Sequence, residues 1–163
     1  MAQIPTEVLK YELRKLQIKL AEESRSTYLT FVKKVWPDFI AGSHHKIFAQ
    51  KLEDVSRGKI KRLIVNMPPR HTKSEFASHL FPAWMMGRNP KLKIIQTTHT
   101  AELSYNFGRK VRNLFDQDEF KEVFPNVTLS QDSKAAGRFT TNKGGEYFAA
   151  GVGGAITGRG ADL

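Results

Sequence analysis

With 163 residues and 40% hydrophobic content, the chain is long enough to bury one core, and one domain is the expectation. No apolar run approaches the roughly 18 residues a membrane-spanning helix needs, and the charged N-terminal pattern does not read as a signal peptide. The absence of cysteine excludes a disulfide framework and a thiolate metal site, while a net charge of +10 favours an anionic partner such as nucleic acid, nucleotide or an acidic protein surface.

In chain order, Val8, Leu9, Leu13, Leu16 and Leu20 fall mostly three and four residues apart, which predicts a helix over 6–23 that packs on its own domain. A short helix over 28–36 stops at Pro37, and another runs from about His44 to Arg57, with Gly42-Ser43 before it and Gly58 after it. The apolar run Leu63-Ile64-Val65 predicts a buried strand over 61–66, broken at Pro68-Pro69. Phe76, Leu80 and Trp84 then predict a helix from about Lys73 to Met86, which Pro82 should kink or shorten. Leu92 to Thr97 reads as a second strand and His99 to Phe115 as a further helix. Two strands, each followed by a helix, predict parallel pairing with right-handed crossovers. Beyond Pro125, strands over 138–141 and 146–150 flank Gly144-Gly145, a hairpin signal. The stretch from Gly151 to Gly160 is too glycine-rich for a helix.

The segment from Leu63 to Phe76 concentrates the chemistry. Strand, loop, Lys73-Ser74 and helix is the layout of a P-loop, in which backbone N–H groups at a helix N-terminus hold phosphate. Lys73 is placed to neutralise terminal phosphates, and the Ser74 hydroxyl to ligate magnesium. With Lys73 in the seventh place of the eight-residue signature, Met67 and Thr72 occupy the two glycine places. Pro68 and Pro69 have no N–H to donate, so the cradle falls to His71, Thr72, Lys73 and Ser74, with Arg70 as a second cation. A plainer reading makes Thr72 and Glu75 a capping box on an ordinary helix.

Four ordered blocks carry a family resemblance. They are Trp36-Pro37 with His44-His45 and 58–64; Val65 to Glu75; 97–106 with 109–112; and Gly151 to Leu163. Together they resemble the ATPase domain of the large terminase subunits of tailed bacteriophages. The resemblance covers roughly residues 28 to 163. It implies an α/β, P-loop NTPase-like three-layer core on a mostly parallel sheet, preceded by a helix over 1–27. It also implies an ATP- and magnesium-dependent motor that drives double-stranded DNA into procapsids. Such a motor works as a homo-oligomeric ring in the host cytoplasm, transiently at the portal vertex, with the portal protein and small terminase subunit as partners and no membrane. By matching positions, Lys73 contacts the β and γ phosphates, Ser74 ligates magnesium and Arg70 is the basic residue of the loop. His45 or Lys46 falls near adenine, and Arg159 falls where an arginine finger would act. Thr72 departs from the usual glycine, so the turn is made with a Cβ present. The paired acids of Walker B and a C-terminal nuclease domain are expected after Leu163, so this chain is expected to turn over little ATP alone. The alternatives are another P-loop ATPase acting on nucleic acid, such as a helicase, and a non-catalytic basic DNA-binding or assembly module.

The remaining residues read more plainly. His44 and His45, being adjacent, are not expected to share a helix face, and carboxylates do not cluster near the five histidines, so no metal site is expected. Trp36, Phe39, Phe48, Phe76, Phe81 and Trp84 read as core. The basic groups at Lys33-Lys34, Arg57 to Arg62 and Arg109 to Arg112 read as solvated faces, some of which a DNA motor would use.

Overall fold

The computed structural model describes residues 5–154 and 156–163. Residues 1–4 of the expected N-terminal helix and Ala155 of the glycine-rich stretch lie outside the described residues. Helices come first: α1 (Thr6–Ser26), α2 (Tyr28–Val35) and α3 (Ser43–Ser56). A helix opens at Lys73, becomes π-helical over Glu75–Leu80 and continues as α4 (Phe81–Arg88). Then follow β1 (Lys93–Thr98), α5 (Ala101–Leu114), α6 (Asp118–Val123), β2 (Leu129–Ala135), β3 (Arg138–Thr141) and β4 (Glu146–Gly151).

The protein is α/β, with N-terminal helices and then a four-strand mixed sheet in the order β1-β4-β3-β2, packed against helices. β1 and β4 run parallel, from Lys93 opposite Glu146 to Thr98 opposite Gly151. β3 pairs antiparallel with both β4 and β2. This corrects the expectation of a mostly parallel sheet. Strands joined by tight turns must run antiparallel, whereas the parallel pair needs a crossover, here carried by α5 and the elements after it. The Gly144-Gly145 turn behaves as its sequence predicts. α6 and β2 have no counterpart in the sequence reading, being short and weakly patterned.

A second correction concerns 61–66. These residues belong to no strand, and Ile64 is 86% exposed. Leu63, Val65 and Met67 are half-buried against the core. Three apolar residues in a row predict burial on both faces, yet only Leu63 and Val65 find cover, because nothing packs over Ile64.

Pro82 does not end its helix. It occupies the first turn of α4, where a missing N–H costs little, and the wider π turn before it absorbs the change of register. The core is mainly aromatic: Tyr28, Phe31, Phe76, Phe81 and Trp84 are fully or almost fully buried, each contributing on the order of 2–3 kcal/mol. Tyr28 meets Phe76 and Phe81 edge-on at 5.7 and 5.5 Å. Its hydroxyl donates to the Phe76 carbonyl at 2.7 Å, and its amide donates to Glu53 Oε1 at 2.8 Å. Trp84 Nε1 donates to the Ser24 carbonyl at 2.8 Å, tying the end of α1 to α4. These bonds fix the helix that carries Lys73 and Ser74 against α2 and α3.

Candidate functional site: the 67–75 loop

The loop encloses a hollow of about 390 Å³ lined by residues 67 to 75. Two of its residues, Arg70 (φ 62°) and Thr72 (φ 59°), adopt the left-handed conformation without being glycine. For β-branched Thr72 this is a true outlier. Alternation of left-handed residues with ordinary ones curls successive backbone amides toward one side, the geometry of an anion nest. Immediately after the curl, the helix opening at Lys73 presents amides with no intrahelical acceptor. Lys73 Nζ turns back to donate to the Met67 carbonyl at 3.4 Å, so the ammonium spans the loop from its seventh residue to its first. Arg70 and His71 are exposed, as is Ser74. The donor set is thus two cations, Lys73 held across the loop and Arg70 exposed beside it, with a run of amides and an exposed hydroxyl, which fits a phosphate ester with its magnesium ion.

Thr72 is held from outside the loop. His45 is 7% exposed, and its ring packs on Phe39 and Phe76 at 4.8 and 5.3 Å. Its Nδ1 accepts the Gly42 N–H at 2.9 Å, so the proton sits on Nε2, which meets Thr72 Oγ1 at 2.7 Å. Thr72 Oγ1 in turn donates to the His71 carbonyl at 2.7 Å. Burial, followed by the neighbouring His44 and His71, lowers the pKa of His45, in keeping with the neutral ring this chain of bonds requires. The His44 and His45 rings lie 3.8 Å apart, and His71 stands 5.9 Å from His44, so the adjacent histidines do come together. Among the described residues, no group of three potential ligands could hold a metal.

The capping-box alternative is not formed. Thr72 is engaged with His45 and His71, and Glu75 faces the other way. The Glu75 carboxylate accepts from His79 Nδ1 at 2.9 Å and pairs with Lys110 of α5. The hydrogen bond from His79 leads in holding its pKa down at about 2, helped by Lys110 and opposed by burial. Glu75 therefore clamps the start of the helix to α5 as an ionised group.

The other candidates lie elsewhere. Arg159 sits at the N-terminal ends of β1 and β4, donating to Glu146 Oε1 at 3.0 Å and stacked 3.9 Å over Phe148. It is not brought to the 67–75 loop. Asp162 accepts the Lys93 N–H on its side chain at 2.9 Å, and Leu163 exchanges backbone bonds with Lys93 and Ile95 along the outer edge of β1. Between that edge and the 61–65 segment lies a cleft of about 340 Å³, lined among others by Leu63, Val65, Ile95 and Thr97. The glycine-rich stretch begins at the other end of β1. A Cβ on Gly151 would lie 2.4 Å from the Ala101 amide nitrogen, so only glycine lets β4 end against the start of α5.

Sequence reasoning missed His45 as the brace of the loop. The signal available was His45 at the third helical position after Gly42, but its partner Thr72 lies 27 residues away and only folding joins them. No family model, no curated protein and no solved structure matches the chain.

Proposed function

We propose that the 67–75 loop binds the phosphates of ATP with magnesium, and that the chain is the ATP-binding part of a viral DNA-packaging motor of the terminase large-subunit type. The observation that carries the reading is the loop itself. It curls through two left-handed non-glycine residues into a helix N-terminus, and Lys73 bridges its mouth. Arg70 and Lys73 would neutralise the phosphates, the amides of His71, Thr72, Lys73 and Ser74 would cradle them, and the Ser74 hydroxyl would ligate the ion. Bound magnesium would offset charge developing between the β and γ phosphates. His45 acts as a positioning residue, since both ring nitrogens are engaged and neither is left for adenine. Arg159, tied to Glu146, would have to exchange that partner to serve a neighbouring subunit. A P-loop NTPase-like three-layer core belongs to the same proposal, with the cleft beside β1 as the place where further strands would complete the sheet. Duplex DNA, the portal protein, the small subunit and a ring assembly follow from the resemblance and belong to the proposal alone.

Titration with magnesium-ATP tests it. The wild-type chain is expected to bind, and Lys73→Ala to bind at least about tenfold more weakly, about 1.4 kcal/mol. Equal binding by both, or binding by neither, overturns the assignment. Salt-dependent DNA binding without nucleotide affinity would instead favour a basic DNA-binding module.

A further inference from the structure

α1 is docked only at its C-terminal end. Ala21 and Ser24 are buried, whereas every residue from 6 to 20 is exposed. The expected packing of this helix on its own domain forms only over its last turns. Leu9, Leu13, Leu16 and Leu20 are 53, 57, 62 and 39% exposed. Their spacings of four, three and four are those of a coiled-coil seam, and at 100° per residue they share a stripe about 60° wide. Tyr11 and Ile18 lie on the opposite face, interleaved with Arg14 and Lys15.

We propose that this seam pairs with the α1 seam of a second copy of the chain, and that the two helices run antiparallel. Two observations select the partner and its direction. First, the seam is self-complementary when reversed: Leu13 meets Leu16 of the other copy, and Leu9 meets its Leu20. In that register the flanking Glu12 faces Lys19 of the other copy, twice by symmetry, and Lys10 faces Gln17. In the parallel register Glu12 faces Gln17 and Lys19 faces Ser24, and no opposite charges meet. Second, each domain hangs on the C-terminal end of its α1. An antiparallel pair holds the two domains at opposite ends of a helix of about 32 Å. A parallel pair would press together the basic domains of two chains, each chain carrying a net charge of +10. The contact is isologous and closes on a pair, so it stands apart from any head-to-tail ring and does not depend on the ATP reading.

The test uses sedimentation and cross-linking of the full chain. Wild type is expected to shift from one chain to two as concentration rises. The Leu13→Glu/Leu16→Glu variant should stay monomeric with unchanged circular dichroism, because both positions are exposed. Glu12→Lys alone should weaken pairing roughly fivefold, and Glu12→Lys with Lys19→Glu should restore it. The chain has no cysteine, so orientation can be read directly. Leu13→Cys mixed with Leu16→Cys should form a disulfide between the two chains on oxidation, and Leu13→Cys alone should not. A wild type that stays monomeric throughout, a pairing indifferent to the two glutamates, or self-linking of Leu13→Cys overturns the proposal. So does a monomer that instead co-sediments with anionic vesicles.

Discussion

Thr72 does two jobs that pull in opposite directions. Its backbone sits at φ 59°, where a β-branched residue is strained, at a cost on the order of 1–2 kcal/mol. Its hydroxyl meets His45 and His71. The strain is separable from the hydroxyl by comparing two substitutions that both remove it. Thr72→Gly should be more stable than Thr72→Ala by about 1 kcal/mol in urea denaturation, the reverse of the order expected next to an ordinary helix. An alanine that matches or exceeds glycine would show that residue 72 is not left-handed in solution. The surroundings hold a threonine rather than a glycine at this left-handed position through a buried, neutral histidine.

Among the elements, the helix from Lys73 to Arg88 depends on the Glu75 contacts with His79 and Lys110. The carboxyl pKa is depressed from its ordinary 4.5 to about 2. The stabilisation it contributes is therefore complete above about pH 4.5 and is lost as pH falls through about 2. Because the carboxylate is partly exposed, its worth is on the order of 1 kcal/mol after solvent screening. Glu75→Gln should be less stable than wild type at pH 6, and the gap should close between pH 4.5 and 2. A gap that stays constant over that range would mean the clamp is not electrostatic. His45 adds a pH dependence of its own. Its folded pKa lies below the ordinary 6.5, so the stability it confers is present above about 6.5 and falls as pH drops below that value.

For the whole molecule, the 61–66 segment outside the sheet is the test of the architecture. Amides of Leu63 and Val65 have no ladder partner, whereas β4 is paired on both sides. Hydrogen exchange at Leu63 and Val65 should run about 10³-fold faster than at Tyr147 and Ala149. Equal protection would mean that the segment is paired within a sheet after all. The charge of the molecule carries a further prediction. Lys34, Arg57, Lys59 and Lys110 are already paired with carboxylates, so under the proposed function duplex contacts would fall to exposed bases such as Lys33, Lys61, Arg62 and Arg109. Affinity for a DNA duplex should drop by about 10³ between about 50 and 200 mM salt. A salt-independent affinity would argue against a phosphate-tracking surface.

Helices α1, α2, α3 and α5, strand β1 and the Gly144-Gly145 hairpin were legible in the sequence, because hydrophobic period and turn chemistry are local properties. The adjacency of Lys73 and Ser74 at a helix start was legible for the same reason. What folding alone decided is everything that depends on a distant partner. The run Leu63-Ile64-Val65 is a strand by composition, but a strand also needs a neighbour to take its hydrogen bonds, and none is paired with it here. The leucines of α1 mark a helix by spacing, yet whether they face their own domain depends on where Ala21 and Ser24 dock. His45 was one histidine among five until the fold placed its Nε2 against Thr72, making it the support of a loop whose own sequence lacks the glycines such a turn ordinarily uses.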